Sequence, residues 1–480
     1  MNCIRNNKFL LVIFALGLTL LFSNCRKESF LTGNASLTFD TDTVYFDTVF
    51  TKLPGTTYPR SINKQFVVRN PYNESIRTNI KLSGGISSSY RMNVDGVSTR
   101  NITDVEIRPK DSIFVFVECS LEPNNLTMPA IVQDSIMFVT NGNIQNIQLA
   151  AYGWDAYYYR DSVLPCNTVW DKTDKPYVVV NSVAVDENCN LEIKPGVHIY
   201  SSGNSQIYVF GTLKVNGNKD NPVLFRADRL DPRYDDSQGQ WIGIHFYRFS
   251  KNNEINYAII KNAIIGVRVD SLSINGQEKL VMKNSIIQNC SNIGLLGITS
   301  DITLENNIIH NCGSYTFLGY FGGNYNLRHN TFANYNIGFS RNDPHFAFNN
   351  IQLDGNDNFL KDFSLSYNVQ NCIIYGSNDE EILFDISSNK PPVSANLENN
   401  IIRTEIEALS SNGNLVNVGH SGSSFFRDLL FTDYFKYDFT LKENSPAIDK
   451  GAILSPVINK DIVDSPRDAI PDIGAFEYLP

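Results

Sequence analysis

The sequence predicts an all-β chain in which a β-sandwich precedes a parallel β-helix, and three observations carry that prediction. First, from residue 256 to 402 a short phrase keeps returning, an Asn followed within one or two residues by an apolar pair; Asn284-Ser-Ile-Ile, Asn306-Asn-Ile-Ile, Asn371-Cys-Ile-Ile and Asn399-Asn-Ile-Ile are its clearest copies. The first residue of each pair falls at 259, 286, 308, 331, 351, 373 and 401, giving steps of 27, 22, 23, 20, 22 and 28. Periods in the twenties belong to solenoids that stack one supersecondary unit per repeat. Second, the fixed apolar positions are Ile, Phe and Val flanked by Asn and Gly, not the several Leu per unit of a leucine-rich repeat; β-branched and aromatic residues suit strands, Asn tolerates a left-handed corner, and stacked Asn side chains can form hydrogen-bond ladders. Third, Pro and Gly interrupt almost every potential long helix, while residues 35–156 offer about seven short alternating runs, among them Thr43-Val-Tyr-Phe-Asp-Thr-Val-Phe and Ser112-Ile-Phe-Val-Phe-Val. Short strands separated by turn signals at that density suggest a sandwich.

The N-terminus reads as an export signal. Arg5 and Lys8 precede an apolar run from Phe9 to Phe22, too short for the roughly 20 residues a spanning helix needs. Leu21-Phe-Ser-Asn-Cys25 resembles the lipobox of bacterial lipoproteins, which implies a signal peptide over residues 1–24, lipid on Cys25, a tether over 25–34 and attachment to a membrane through that lipid. The net charge of −10 and the lack of any clustered Lys and Arg argue against a nucleic-acid partner. Once Cys3 has left with the signal and Cys25 carries lipid, six cysteines remain, and an exported chain permits disulfides. Cys166 and Cys189 bracket the entry to the solenoid and are placed to staple it. Cys290 and Cys312 each lie four residues after the first Ile of a pair, so they should stack on adjacent coils about 4.8 Å apart, as buried thiols or as a bridge. No CxxC, HxH or HExxH appears, which argues against a bound transition metal.

Several stretches resemble known families. Tyr45-Phe-Asp-Thr-Val-Phe50, Asn93-Val-Asp-Gly96 and Asp111-Ser-Ile-Phe-Val-Phe116 resemble the Ig-like domain at the front of many exported Bacteroidetes-type lipoproteins, which implies a spacer over 35–156. Leu191-Glu-Ile-Lys-Pro-Gly-Val-His-Ile, Ile207-Tyr-Val-Phe-Gly-Thr-Leu-Lys-Val-Asn-Gly and Trp241-Ile-Gly-Ile-His-Phe resemble the opening coils of right-handed parallel β-helix proteins of the pectin-lyase type, which implies that fold over 166–440. Ser445-Pro-Ala-Ile-Asp449 and Asp472-Ile-Gly-Ala-Phe-Glu-Tyr478 resemble the choice-of-anchor Q region that closes many bacterial β-helix proteins. That resemblance implies a C-terminal cap over 441–480, with Asp461, Arg467, Asp472 and Glu477 as a structural charge network.

The chemistry is less legible than the architecture. β-Helices include polysaccharide lyases and hydrolases, and hydrolysis needs carboxylates on neighbouring coils. Asp235-Asp236 are adjacent, but in a polar insertion, 228–240, that reads as a solvated loop. A lyase needs a basic residue and often Ca²⁺. Arg328 and His329 sit at a repeat corner with Arg341 and His345 after them, yet long solenoids always place some basic residues near one another. Asp354-Gly-Asn-Asp-Asn358 and Asn378-Asp-Glu-Glu381 are acidic enough to hold Ca²⁺ but follow no Ca²⁺-loop spacing. The aromatic stretch with Tyr315, Phe317, Tyr320 and Phe321 offers a platform for sugar rings or fills the interior. The expectation is therefore a surface lipoprotein of the outer membrane that binds glycan or a cell-surface protein without catalysis; a polysaccharide lyase or glycoside hydrolase and a structural envelope protein are the alternatives.

Overall fold

The computed structural model describes residues 29–53, 62–123, 127–419 and 430–479. The leader, Cys25 and the first residues of the tether, through 28, lie outside the described residues. Within them the chain is all-β and divides into two compact units, one ending at Gly153 and one beginning at Trp154 apart from the short segment 125–128.

The first unit holds two five-stranded sheets. One runs in the order Thr38–Phe39, Ile62–Arg69, Ser112–Cys119, Tyr90–Val94, Val97–Thr99; the other Thr43–Phe50, Asn143–Trp154, Ala130–Thr140, Ile76–Leu82, Asn101–Ile107. Ile76–Leu82 shows the governing pattern, burying every second residue, because successive side chains in a strand point to opposite faces. Phe46, Phe66, Tyr90 and Phe138 from both sheets meet in one core. The sequence reading missed the hairpin Tyr90–Val94/Val97–Thr99, whose Asp95 and Gly96 both have positive φ, and the strand Asn101–Ile107. Two consecutive left-handed residues make the tight turn that suits a hairpin.

The second unit is built on one large sheet whose strands pair in parallel, each strand joining one about a coil further along the chain. This pattern fits a β-helix. The register is regular enough that single files of apolar side chains run through it: Trp170, Ile193, Val215, Ile255, Met282, Leu304, Leu327, Val369 and Leu397 stack in one file, and Ile260, Ile287, Ile309, Phe332, Ile374 and Ile402 in another. The parallel pairing begins with Tyr157–Val163 against Tyr177–Val185, upstream of the expected start at Cys166. Cys166 and Cys189 are joined by a disulfide near that entry. Cys290 and Cys312 are in register on adjacent strands but remain free, buried thiols, so the bridge between them is corrected to a stacked pair.

The repeated phrase has a physical basis at each position. Asn284, Asn306, His329, Asn371 and Asn399, each two residues before the first of a pair, have φ between 49° and 54°. Asn is the non-glycine residue that accepts this left-handed corner most readily. The next residue forms a ladder: Ser285 N donates to Asn307 Oδ1 (3.0 Å), Asn307 N to Asn330 Oδ1 (2.9 Å), Cys372 N to Asn400 Oδ1 (2.8 Å) and Asn400 N to Asn414 Oδ1 (2.9 Å). Side-chain oxygens thus satisfy backbone N–H groups that the bend leaves without a strand partner. One copy of the phrase is a false repeat. Thr331 pairs with Ile373, not Ile351, and Ile351–Leu353 instead forms an antiparallel hairpin with Phe359–Asp362 inserted into a longer coil.

The C-terminal segment does not close the end of the sheet as the expected cap would; it lies along a flank. Leu430, Phe431, Phe439, Leu441, Ala447, Ile462, Ile473 and Ala475 pack on Ile308, Ala333, Ile373 and Ile401. Polar contacts follow the same line, from Tyr257 Oη donating to Asp464 (2.8 Å), through Asn306 Nδ2 to Lys460 O (2.8 Å), to Asn399 Nδ2 on Lys450 O (3.0 Å). This explains why both residues of each Ile-Ile pair are apolar: one faces the interior, the other faces this segment. Arg467, Glu477, Asp461 and Asp472 knit it together. Arg467 Nη1 donates to Glu477 Oε2 (2.9 Å), Glu477 N to Asp461 Oδ2 (3.0 Å) and Tyr478 N to Asp472 Oδ2 (2.6 Å).

Candidate functional site

The four basic residues singled out from the sequence are held inside the fold. Arg328 forms a buried ion pair with Glu305, its neighbour one coil back. His329 occupies the left-handed corner that Asn takes in other coils, and its Nε2 accepts from Nδ2 of Asn371, the corner residue of the next coil, at 2.8 Å. Arg341 reaches Glu381 at 2.8 Å and also donates to Asp343 O. His345 is fully buried, its Nδ1 2.6 Å from Thr316 Oγ1. Burial pushes both imidazoles well below their ordinary value, so each is neutral. All four act as struts, and none is presented to solvent as a base.

The acidic stretches are similarly occupied. Asp354 spends its carboxylate on its own turn, accepting from Asn356 N (2.8 Å) and Asn358 N (2.9 Å). Glu381 is enclosed with Arg341, and burial lifts its carboxyl to about 7 despite that partner. Among the described residues no group of three or more His, Cys, Asp or Glu is gathered as a metal site would require. Asp235 and Asp236 do not hang free in a loop: Asp235 pairs with Arg226 (2.7 Å) and Lys261 (3.1 Å), and Asp236 accepts from Asn289 Nδ2 (2.9 Å), tying the insertion to later coils.

The aromatic stretch divides by strand alternation. It is one long strand, Tyr315–Arg328, in which Phe317 is fully buried and stacks on Phe346 (5.0 Å between ring centroids), so Phe317 is a core residue and not a surface contact. Tyr320 faces outward and stacks on Phe321 (3.8 Å), which stacks on Phe363 (5.2 Å); Tyr315 is half-buried. Register carries the outward row further than the sequence could show. Tyr320 lies beside Ile298, and Ile298 beside Asp270. A second cluster occupies the same face three to four coils before Tyr320, where Phe210 stacks on Tyr247 (4.6 Å) and Tyr208 packs against both (6.3 and 5.8 Å). Between the clusters, His245 Nε2 lies 2.8 Å from Asp270 Oδ2, and Arg268 Nε donates to Asp270 Oδ1 at 2.9 Å. Burial raises the Asp270 carboxyl, but these two hydrogen bonds outweigh it and hold the group below the usual carboxylate value. The face therefore offers two ring clusters flanking one ionised, well-anchored carboxylate. No sequence signal pairs Tyr247 with Tyr320; only the strand register does.

No protein-family model matches the sequence, and no curated protein matches it. Some solved structures do. One is described as the Agl-KA catalytic domain, with a TM-score of 0.20 and 12% identity, covering 68% of this chain and 78% of that one. Another is a family 123 glycoside hydrolase from Clostridium perfringens, with a TM-score of 0.19 and 8% identity, covering 28% of this chain and 30% of that one. A third is the periplasmic chaperone SfaE, with a TM-score of 0.17 and 9% identity, covering 25% of this chain and 58% of that one. The match thus spans less than two thirds of the hydrolase and of the chaperone. Likenesses at these scores carry no argument about this chain.

Proposed function

We propose that this chain is a lipoprotein anchored through Cys25 at the outer membrane and displayed at the cell surface, in which an Ig-like sandwich serves as spacer for a right-handed parallel β-helix that binds extended glycan without cutting it. The observation that supports binding most directly is the outward row with aromatic clusters at both ends, Tyr208, Phe210 and Tyr247 toward one and Tyr320, Phe321 and Phe363 toward the other. Ring faces spaced along a rigid solenoid flank suit a polymer that repeats along one axis. The burial of Arg328, His329, Arg341 and His345 supports a non-catalytic role. A glycoside hydrolase is the second reading, favoured by one observation: two acids, Glu278 and Asp301, line one groove on the parallel sheet, apart from the aromatic row.

The test is retention of intact neutral and acidic polysaccharides by the full chain, with and without Ca²⁺, scored also for new reducing or unsaturated ends. The expected result is retention with no new ends, weakened about tenfold or more by joint Tyr208→Ala and Tyr247→Ala substitution. New ends that vanish in Glu278→Gln would install the hydrolase reading instead. Retention indifferent to the two tyrosines would remove the aromatic row as its basis.

A further inference from the structure

The parallel-sheet unit carries a second surface feature that shares no residue with the aromatic row. A groove of about 540 Å³ lies over the sheet face formed by Ile293–Glu305, Tyr315–Arg328 and Leu365–Gln370, with the 272–278 loop as a wall. That volume falls within the range of clefts that take small organic ligands. Its floor is two outward rows in register: Asp301, Asn324, Ser366 and Ser394 in one, Thr303, Asn326 and Asn368 in the other. Successive members are about 4.8 Å apart, an advance of the order of one sugar ring, so each coil can meet one unit of a chain lying along the axis.

The hydrogen-bonding inventory of this floor is specific. Asn368 Nδ2 donates to Asn326 Oδ1 (2.9 Å), and Asn396 Nδ2 donates to Asn368 Oδ1 (2.8 Å), which fixes the amides in one orientation. Asn326 Nδ2 and the hydroxyls of Thr303, Ser366 and Ser394 have no hydrogen-bond partner among the described residues. They present neutral donors and acceptors on a rigid support, the complement of ring hydroxyls and acetamido groups. The charged residues that line the groove are Glu278 and Asp301. Asp301 is held by Asn324 Nδ2 (2.6 Å) and Ser273 N (2.8 Å). The cations of the adjoining row, Lys283 and Arg328, are both taken up by Glu305. An anionic sugar would meet two carboxylates and no uncommitted cation, an arrangement that rejects by like-charge repulsion. The exposed Leu272 adds a small apolar surface at the wall for a ring face.

We propose that this groove is a glycan subsite selective for uncharged sugars, neutral hexoses or N-acetylhexosamines, over uronates; the proposal rests on the glycan-binding reading above but not on the aromatic row. Isothermal titration of the full chain tests it, with cello-, manno- and chito-oligosaccharides on one side and oligogalacturonate, with and without Ca²⁺, on the other. The expected result is that at least one uncharged oligomer binds about tenfold or more tighter than oligogalacturonate. Asn324→Trp, at an exposed position in the middle of the floor, then weakens that binding by about tenfold while leaving the melting temperature unchanged. Tighter binding of oligogalacturonate in either condition overturns the proposal, as does binding unaffected by Asn324→Trp. The two readings fail separately. Polymer retention that depends on Tyr208 and Tyr247 but ignores Asn324→Trp leaves the proposed function standing and removes this subsite, whereas absence of all glycan binding removes both.

Discussion

On one flank of the parallel sheet the first residue of each apolar pair, Ile308, Ile373 and Ile401, is sealed beneath the C-terminal segment, whereas on another the outward residues of the same coils, Thr303, Asn326 and Asn368, line an open groove. Backbone geometry is the same on both flanks, since both belong to one continuous parallel register. What differs is the side-chain alphabet. A covered row is aliphatic because burying it removes apolar area from water; an open row is amide and hydroxyl because it must stay solvated and leave hydrogen bonds to give. The outward residues of a solenoid therefore report which flank is occupied by its own chain and which is left for a partner.

The comparison breaks most sharply at Arg467. Its side chain and that of Glu477 are almost fully buried, and the same guanidinium donates to Asn306 Oδ1 at 3.0 Å, joining the C-terminal segment to a coil corner. Arg467→Ala leaves Glu477 buried without its cation, a loss of about 3–5 kcal/mol. Denaturant unfolding of the full chain should show that loss, and hydrogen exchange should show residues 444–478 opening first. A loss under about 1 kcal/mol would mean that the segment is held by apolar contact alone. That contribution is read by Ile373→Ala, which empties a fully buried site under the segment and should cost about 2–4 kcal/mol. The matched change on the open flank, Ser394→Ala at an exposed position, should stay within about 0.5 kcal/mol.

How much of this was legible in the sequence follows from the range of each signal. The Asn-Asn-Ile-Ile phrase encodes a corner, a ladder rung, an outward residue and an inward residue in four consecutive positions, so its meaning is local and the architecture could be read from it. The same brevity produced the false copy at Asn349, where two Asn residues precede a hairpin insertion and not a coil. His329 was attractive as a base because its type is rare, yet its φ of 53° and its bond from Asn371 make it a stand-in for Asn. The tail's motifs were visible, but its path along the flank was not, because an apolar residue looks the same whether it faces the interior or another segment. The groove was invisible: Asp301, Asn324 and Ser366 come together through a register that steps over 23 and then 42 residues.

A third contrast is electrostatic and sets the buried acid Glu381 against the groove acids. Arg341 contacts Glu381 at 2.8 Å and the His345 ring lies 4.0 Å away. Burial nevertheless raises the Glu381 carboxyl from its ordinary 4.5 to about 7. A carboxyl whose folded value lies above its unfolded value binds more protons in the native state between the two. This group's contribution is full below its unfolded value of 4.5 and is lost as pH rises toward and through 7, by about 2 kcal/mol between pH 5 and 7. Melting temperatures across pH 5 to 8 should decline in the parent chain and decline less in Glu381→Gln. A Gln variant with the parent's slope would assign the pH dependence to other groups, Asp472 first among them, since burial raises its carboxyl to about 6.

A small expected effect is the most informative about the open flank. Asn368 sits mid-ladder, donating to Asn326 and to Gln370 Oε1 (both 2.9 Å) and accepting from Asn396. On a buried row such a residue would be indispensable; here water can replace every bond it makes. Asn368→Ala should thus cost only about 0.5–1 kcal/mol of stability, the net worth of a solvent-accessible hydrogen-bond set. Its effect on ligand should be larger than its effect on folding, because it releases the orientation of Asn326, whose amide otherwise points unpaired hydrogens into the groove. Loss of stability beyond about 2 kcal/mol would show the ladder to be structural first. A small loss with weakened binding of uncharged oligosaccharide would show that this row is ordered for a partner outside the chain.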